Sequence, residues 1–204
     1  MPHSRWIGLP KEVLSSYVHS LPLVILSIAL VLIFACYTVF VFVWQPLALE
    51  LGVQKGDLGY LYSIFMAGSA AGAFLMGRTS RRAGEINILL LCFLLSLTGF
   101  LTISLSLGIA GHTFGLLQFA FGYGGLIPVL YAWMNTFIPS SIRASMSSFV
   151  GTIGTGGIII LQVVIGAFVQ SWGLVMASLC AVLFAFIGIC SLLFLRLKHY
   201  QTEI

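Results

Sequence analysis

The chain has 204 residues, 60% hydrophobic and only 7% charged, with a formal net charge of +4. A soluble domain is about 25% charged and has too much surface for its volume to hide so much apolar material. Soluble enzymes, disordered tails and nucleic-acid-binding domains are excluded on that ground, and no nucleic acid is expected as a partner.

Residues 1–22 read as a lead-in containing Pro2, Pro10 and Pro22, in which Lys11–Ser20 suits a short helix lying on the membrane surface. Six apolar runs follow: Leu23–Trp44, Leu58–Gly77, Ile86–Leu107, Thr113–Asn135, Ser145–Phe168 and Leu174–Leu195. Each is close to the about 20 residues that a helix needs to cross a bilayer. None alternates with the period of a barrel strand. The first lies too far from Met1, and is too long, for a cleavable signal peptide. The fold class is therefore an all-α membrane protein with a six-helix bundle over residues 23–196 and a tail over 197–204.

On the first span Phe34, Thr38, Val41 and Gln45 share a helical face, with Tyr37 beside it. The second carries Gly68 and Gly72 as a GxxxG pair, and Ser69, Ala73 and Gly77 extend the small-residue spacing, a pattern that lets helix backbones approach closely. The third and sixth spans, rich in Leu, Phe and Ile, are predicted to face lipid. On the fourth, Gln118, Gly122 and Gly125 share a face, Tyr131 and Asn135 share another, and Pro128 is predicted to bend the helix. The fifth has Gly151, Gly154, Gly156, Gly157 and Gly166, which predict tight packing, and Gln162 as its lone long polar residue. Polar groups in lipid are costly unless partnered. These residues therefore face a water-filled path or bond between helices.

Arg5, Lys11, Arg78, Arg81, Arg82, Arg143, Arg196 and Lys198 fall on one side of the six spans, and Lys55 alone on the other. Cytoplasmic loops collect Lys and Arg, so both termini are expected inside, in a plasma or inner membrane. The outer loops are then short: Gln45–Asp57, Gly108–His112 and Val169–Gly173. Trp44, Tyr60, Trp133, Trp172 and Tyr200 fall near span ends, where amphipathic rings settle. No Asp, Glu, Lys or Arg occupies the middle third of a span. Cys36, Cys92, Cys180 and Cys190 lack metal or redox spacing, and the four histidines lie in the termini or an outer loop. No catalytic set, metal or cofactor is indicated. A shift of 89 residues superposes Trp44 on Trp133 and brings Gly68, Gly77, Gly84 and Gly99 onto Gly157, Gly166, Gly173 and Gly188. It also maps spans one to three onto four to six, as two inverted three-helix repeats would.

The stretch Gly77-Arg78-Thr79-Ser80-Arg81-Arg82-Ala83-Gly84 reads as a short basic turn between the second and third spans. It resembles the loop joining the second and third helices of each half in major facilitator superfamily (MFS) transporters, roughly Gly-x-x-x-Asp-Arg-x-Gly. Gly77, Arg82 and Gly84 match, whereas Arg81 stands at the acidic position and Glu85 at a basic one. Tyr37–Val53 resembles the end of the family's seventh helix and its outer loop. Thr136–Ser145, with Pro139 and Arg143, resembles its link between the tenth and eleventh helices. The likeness spans about residues 20–197 and matches the C-terminal half, so the lead-in resembles the central cytoplasmic loop.

The resemblance implies transport of a small solute by alternating access, without enzymatic activity. Phe34, Tyr37, Thr38, Val41, Gln45, Gln118, Gly122, Gly125 and Gln162 become candidate cavity residues. Gly77, Arg78, Arg81, Arg82, Gly84 and Arg143 become a candidate cytoplasmic gate, which a plain basic anchor explains equally. Half of such a transporter implies a complementary six-helix half or a homodimer partner in the lipid bilayer. Any coupling carboxylate would sit in the other half. A non-transporting membrane subunit or an inert truncated product remains the alternative.

Overall fold

The computed structural model describes residues 11–105 and 108–202. Residues 1–10, 106–107 and 203–204, which include the first ten residues of the lead-in and the expected end of the third span, lie outside the described residues. The described chain forms α1 (Lys11–Val18), α2 (Leu21–Glu50), α3 (Leu58–Ala83), α4 (Glu85–Ser104), α5 (Gly108–Met134) and α6 (Arg143–Thr202), with single 3₁₀ turns at Lys55–Asp57 and Ser140–Ile142. Five stretches, α2 to α6 with the short turns that precede two of them, are long and apolar enough to cross a membrane.

Several helices overrun one end of the predicted spans, because a helix keeps its backbone bonds internal as the sequence turns polar. α2 continues through Pro46 to Glu50. α5 begins at Gly108 and takes in the expected outer loop Gly108–His112. It also runs on as α-helix through Pro128, so the predicted bend does not interrupt it. The expected basic turn is likewise helical, since α3 ends only at Ala83. Cations in the last turn of a helix complement its dipole.

A 60-residue α6 would be about 90 Å long, three times the hydrocarbon thickness. It is divided at Gly173, whose φ of 82° and ψ of 174° are non-helical. The expected outer loop Val169–Gly173 thus reduces to one residue between a first arm (143–172) and a second arm (174–202). Gly84, between α3 and α4, has φ 83° and ψ 143°. Only glycine enters this region without strain. Two helix pairs are therefore each broken at a glycine, 89 positions apart.

α5 lies between α3 and α4, while α6 packs against α2 and α4. Close glycine contacts set these distances. A methyl on Gly72 would strike the Phe121 carbonyl, and one on Gly124 the Ser69 carbonyl. Between α4 and α5, a methyl on Gly99 would lie 2.8 Å from the Gly115 oxygen, and one on Gly115 2.7 Å from the Gly99 oxygen. The GxxxG stripe of α3 thus packs against α5.

The glycines of the fifth span pack only in part as predicted: Gly157 and Gly166 lie at ordinary contact distance from Val31 and Phe42 of α2. Gly154 meets Phe34 of α2, but Gly151 and Gly156 have nothing within 4 Å, and Ile160 and Val163 are exposed. α4 is not simply lipid-facing either: Leu89, Phe93 and Phe100 are fully buried, and Leu91, Leu94 and Leu101 form the exposed face. The second arm buries Ala177, Ala181 and Ala185 along one stripe, and its Gly188 packs under the Phe93 ring. α1 docks on the bundle, with Val13 fully buried and Tyr17 edge-on to Phe149 at 5.2 Å.

Candidate solute pathway

On α2, Val41 and Gln45 are exposed, Phe34 and Tyr37 are half-buried, and Thr38 is buried. The Thr38 hydroxyl donates to the Phe34 carbonyl at 2.9 Å, which satisfies it within its own helix. On α5, Gln118 accepts a bond from Thr102 of α4 at 3.4 Å, an interhelical use of the amide. Gly122 and Gly125 are buried: a methyl on Gly122 would lie 2.5 Å from the Cys92 oxygen, and one on Gly125 2.5 Å from Cγ of Met76. Their lack of a side chain lets α5 seat against α4 and α3. Gln162 is exposed on the first arm of α6. The structure thus keeps Phe34, Tyr37, Val41 and Gln45 on one accessible strip of α2, and places the fourth-span residues in helix contacts.

Sequence reasoning missed an aromatic cluster that joins α2, α3 and α5. Phe40 stacks on Phe65 with centroids 4.3 Å apart, Tyr37 on Tyr123 at 4.8 Å, and Trp44 on Tyr62 at 5.7 Å. Phe119 touches Phe40, Phe100 and Tyr123 from α5. Each stacked pair of this kind contributes roughly 0.5–1.5 kcal/mol beyond its buried area. The signal was present as helical spacing, in Tyr37, Phe40 and Trp44 at i, i+3 and i+7, Tyr62 and Phe65 at i, i+3, and Phe119 and Tyr123 at i, i+4. What the spacing lacked was the pairing between helices. A cavity of about 330 Å³ opens beside this cluster, lined by Trp44, Gln45, Leu58, Gly59 and Tyr62.

His112, expected in an outer loop, is 2% exposed inside α5. Neither ring nitrogen makes a hydrogen bond, and the Trp44 backbone is the polar group that faces it. Cys36 and Cys92 are fully buried, and Cys36 makes a weak 3.5 Å contact to the Ala181 carbonyl. At the other end of α3, Arg78, Arg81 and Arg82 surround a groove of about 680 Å³ floored by Ala73, Phe74 and Gly77. Arg143 opens α6 and is exposed. Among the described residues no three His, Cys, Asp or Glu come together as a metal site.

A family model of the Major Facilitator Superfamily matches residues 26–203. The chain belongs to that superfamily: it is an integral multi-pass membrane protein of a transporter family. No curated protein matches it at the sequence level. Among solved structures it is similar to the POT family transporter PepTSo, with TM-score 0.74 and 16% identity over 84% of this chain and 36% of that one. It is also similar to an auto-inhibited POT family peptide transporter, with TM-score 0.72 and 18% identity over 92% and 37%. A mutant peptide transporter POT in complex with alafosfalin gives TM-score 0.68 and 16% identity over 97% and 41%. At these identities the likeness is one of fold. The chain spans about two fifths or less of those transporters' length.

Proposed function

We propose that the chain is the C-terminal six-helix half of an MFS-type secondary transporter that moves a small solute by alternating access. α2, α3 and α4 form one three-helix repeat, and α5 with the two arms of α6 forms the inverted second. Both rock with a complementary half around a site near the bilayer midplane. The observation that carries this reading is the accessible strip of α2, where Val41 and Gln45 are exposed in line with half-buried Phe34 and Tyr37. Polar side chains within a membrane span face water or a bundle interior. Phe34, Tyr37, Val41 and Gln45 line the path, with Thr38 buried behind them and Gln162 reaching it from α6. Gln118, Gly122 and Gly125 shape it by setting where α5 sits.

The glycine breaks at Gly84 and Gly173 occupy equivalent places in the two repeats and support the inverted arrangement. Both termini are cytoplasmic, on the side of the basic residues. Gly77, Arg78, Arg81, Arg82, Gly84 and Arg143 then form the cytoplasmic rim, where the guanidiniums meet the partner half as it closes. The solute, the lipid bilayer and a complementary half or second copy are the partners.

The test is thiol accessibility in sealed vesicles. In a background without the four native thiols, Val41→Cys and Gln45→Cys should react with an impermeant reagent from either side of the membrane. Val163→Cys, on the exposed apolar face of α6, should react from neither. Labelling of Gln45→Cys from one side only, under all conditions, would refute alternating access.

A further inference from the structure

His112 lies at the end of the bundle away from the arginine groove. α3 and α5 run side by side in the same direction, with Gly68 beside Leu117 and Met76 beside Gly125. That register puts Arg78 about 20 Å further along than His112. Both ring nitrogens of His112 are buried without a hydrogen-bond partner. Among the described residues the other buried polar side chains, Ser27, Thr38, Ser80, Ser96 and Ser178, each bond a carbonyl of their own helix. His112 alone of this group is left unsatisfied, and packing by itself gives no reason for an imidazole there.

Three helices pack against α5. From α2 the Trp44 backbone faces the ring, with Cys36 and Tyr37 about two turns deeper. Glu50 ends α2, and Lys55 and Asp57 follow it. From α3 the titratable groups at this end are the Tyr60 and Tyr62 phenols. α4 carries the Cys92 thiol and, at its far end, Glu85. No Asp, Glu, Lys or Arg lies between Glu85 and Arg143. An imidazolium under Trp44 would therefore be a buried charge without a counterion, and it would leave for water.

The seam is built to open at this point. α5 packs along α3 and α4 but meets α2 over a short stretch. Its first turn, Gly108-Ile109-Ala110-Gly111, holds two glycines, of which Gly108 has φ 72°. Ile109 and Ala110 are exposed. Glycine forms helix poorly and little apolar surface holds this turn, so it opens at low cost.

We propose that His112 is an acid-sensitive latch on the α2–α5 seam: the neutral ring closes under Trp44, and the protonated ring moves to water and carries the first turn of α5 away from α2. In the transport reading this is the outer end, but the latch acts whatever solute the chain carries. A hydrated imidazole titrates near pH 6.5, so the open form is about 97% protonated at pH 5 and about 3% at pH 8. The closed form takes no proton, so opening becomes about 30-fold more frequent at pH 5. The closed seam keeps its full stability above about pH 6.5 and loses it as the pH falls.

The test is hydrogen exchange, read by mass spectrometry, on the full chain in lipid nanodiscs, with rates corrected for the intrinsic pH dependence of amide exchange. From pH 8 to pH 5 the amides of residues 112–116 should lose about 30-fold in protection, while those of 68–76 on α3 hold theirs. His112→Leu keeps the site apolar and His112→Gln keeps it polar but neutral; both should abolish the response. Unchanged protection of 68–76 in each variant checks that the fold is intact. Glu50→Gln and Asp57→Asn remove the carboxylates at this end and should leave the response in place. Equal wild-type protection at the two pH values would overturn the latch, as would a response that survives in His112→Leu or His112→Gln, or one that disappears with the carboxylates. A loss shared equally by 68–76 would mean that acid unfolds the whole chain, and would overturn it too. The assay contains no solute and no partner half, so its failure leaves the transport reading standing, and failure of the thiol-accessibility test leaves the latch.

Discussion

The α4–α5 contact permits a sharp comparison between two glycines. In Gly99→Ala the new methyl would lie 2.8 Å from the Gly115 oxygen, 2.9 Å from the Phe119 nitrogen and 3.2 Å from the Phe119 Cβ. Favourable carbon contacts begin near 3.5 Å, so the helices would have to part by roughly half an ångström. Two of the three obstacles are backbone atoms, which cannot rotate away. Overpacking of this kind costs about 1–3 kcal/mol.

Gly156→Ala has nothing within 4 Å of its methyl. It should gain about 0.5–1 kcal/mol from helix propensity and a restricted unfolded chain. The same propensity gain partly offsets the clash at Gly99. The two variants should still differ by about 2 kcal/mol, which for a chain of this length is about 4–8 °C in apparent melting temperature. The assay is melting followed with a thiol-reactive fluorogenic dye. Cys36 and Cys92 are fully buried and become reactive on unfolding, while exposed Cys190 sets the baseline. Equal melting temperatures for the two variants, or a higher one for Gly99→Ala, would refute the packing argument.

Gly84→Ala and Gly173→Ala should each cost about 1–3 kcal/mol, because both glycines have φ near +82° with extended ψ; the same dye assay checks this. Phe40→Ala should cost about 3–5 kcal/mol, and a double-mutant cycle with Phe65→Ala should return a coupling of about 0.5–1.5 kcal/mol, since the rings stack at 4.3 Å. His112→Leu should be neutral or stabilising by about 1 kcal/mol, because it removes a buried ring with two unbonded nitrogens. A loss above 1 kcal/mol there would mean that the imidazole holds a partner.

The membrane class and the long helices were legible in the chain because hydropathy reports burial in lipid directly. Helix ends were less so. The segment 78–83 reads as a polar turn, yet Arg, Ser and Ala continue a helix readily until Gly84 breaks it. The same reasoning explains His112: a histidine next to glycines reads as loop, while the fold places it under Trp44. The fifth-span glycines suggested close packing by composition, but a glycine packs closely only where a neighbour is present. Gly154 has Phe34 opposite, and Gly156 has none. The α2 strip was legible from helical spacing. Its aromatic partners on α3 and α5 were not, because spacing within a helix says nothing about which helices face one another.

In the proposed mechanism this chain works as one half of a two-half transporter. The direct measurement is photocrosslinking in native membranes from Phe74, which is 67% exposed on α3 beyond exposed Ala67, Ala70 and Ala71. A single crosslinked species is expected, in which this six-helix unit pairs one to one with a complementary half or a second copy. A unit that stays alone, crosslinking only to lipid from Phe74 and from Ala70, would contradict it.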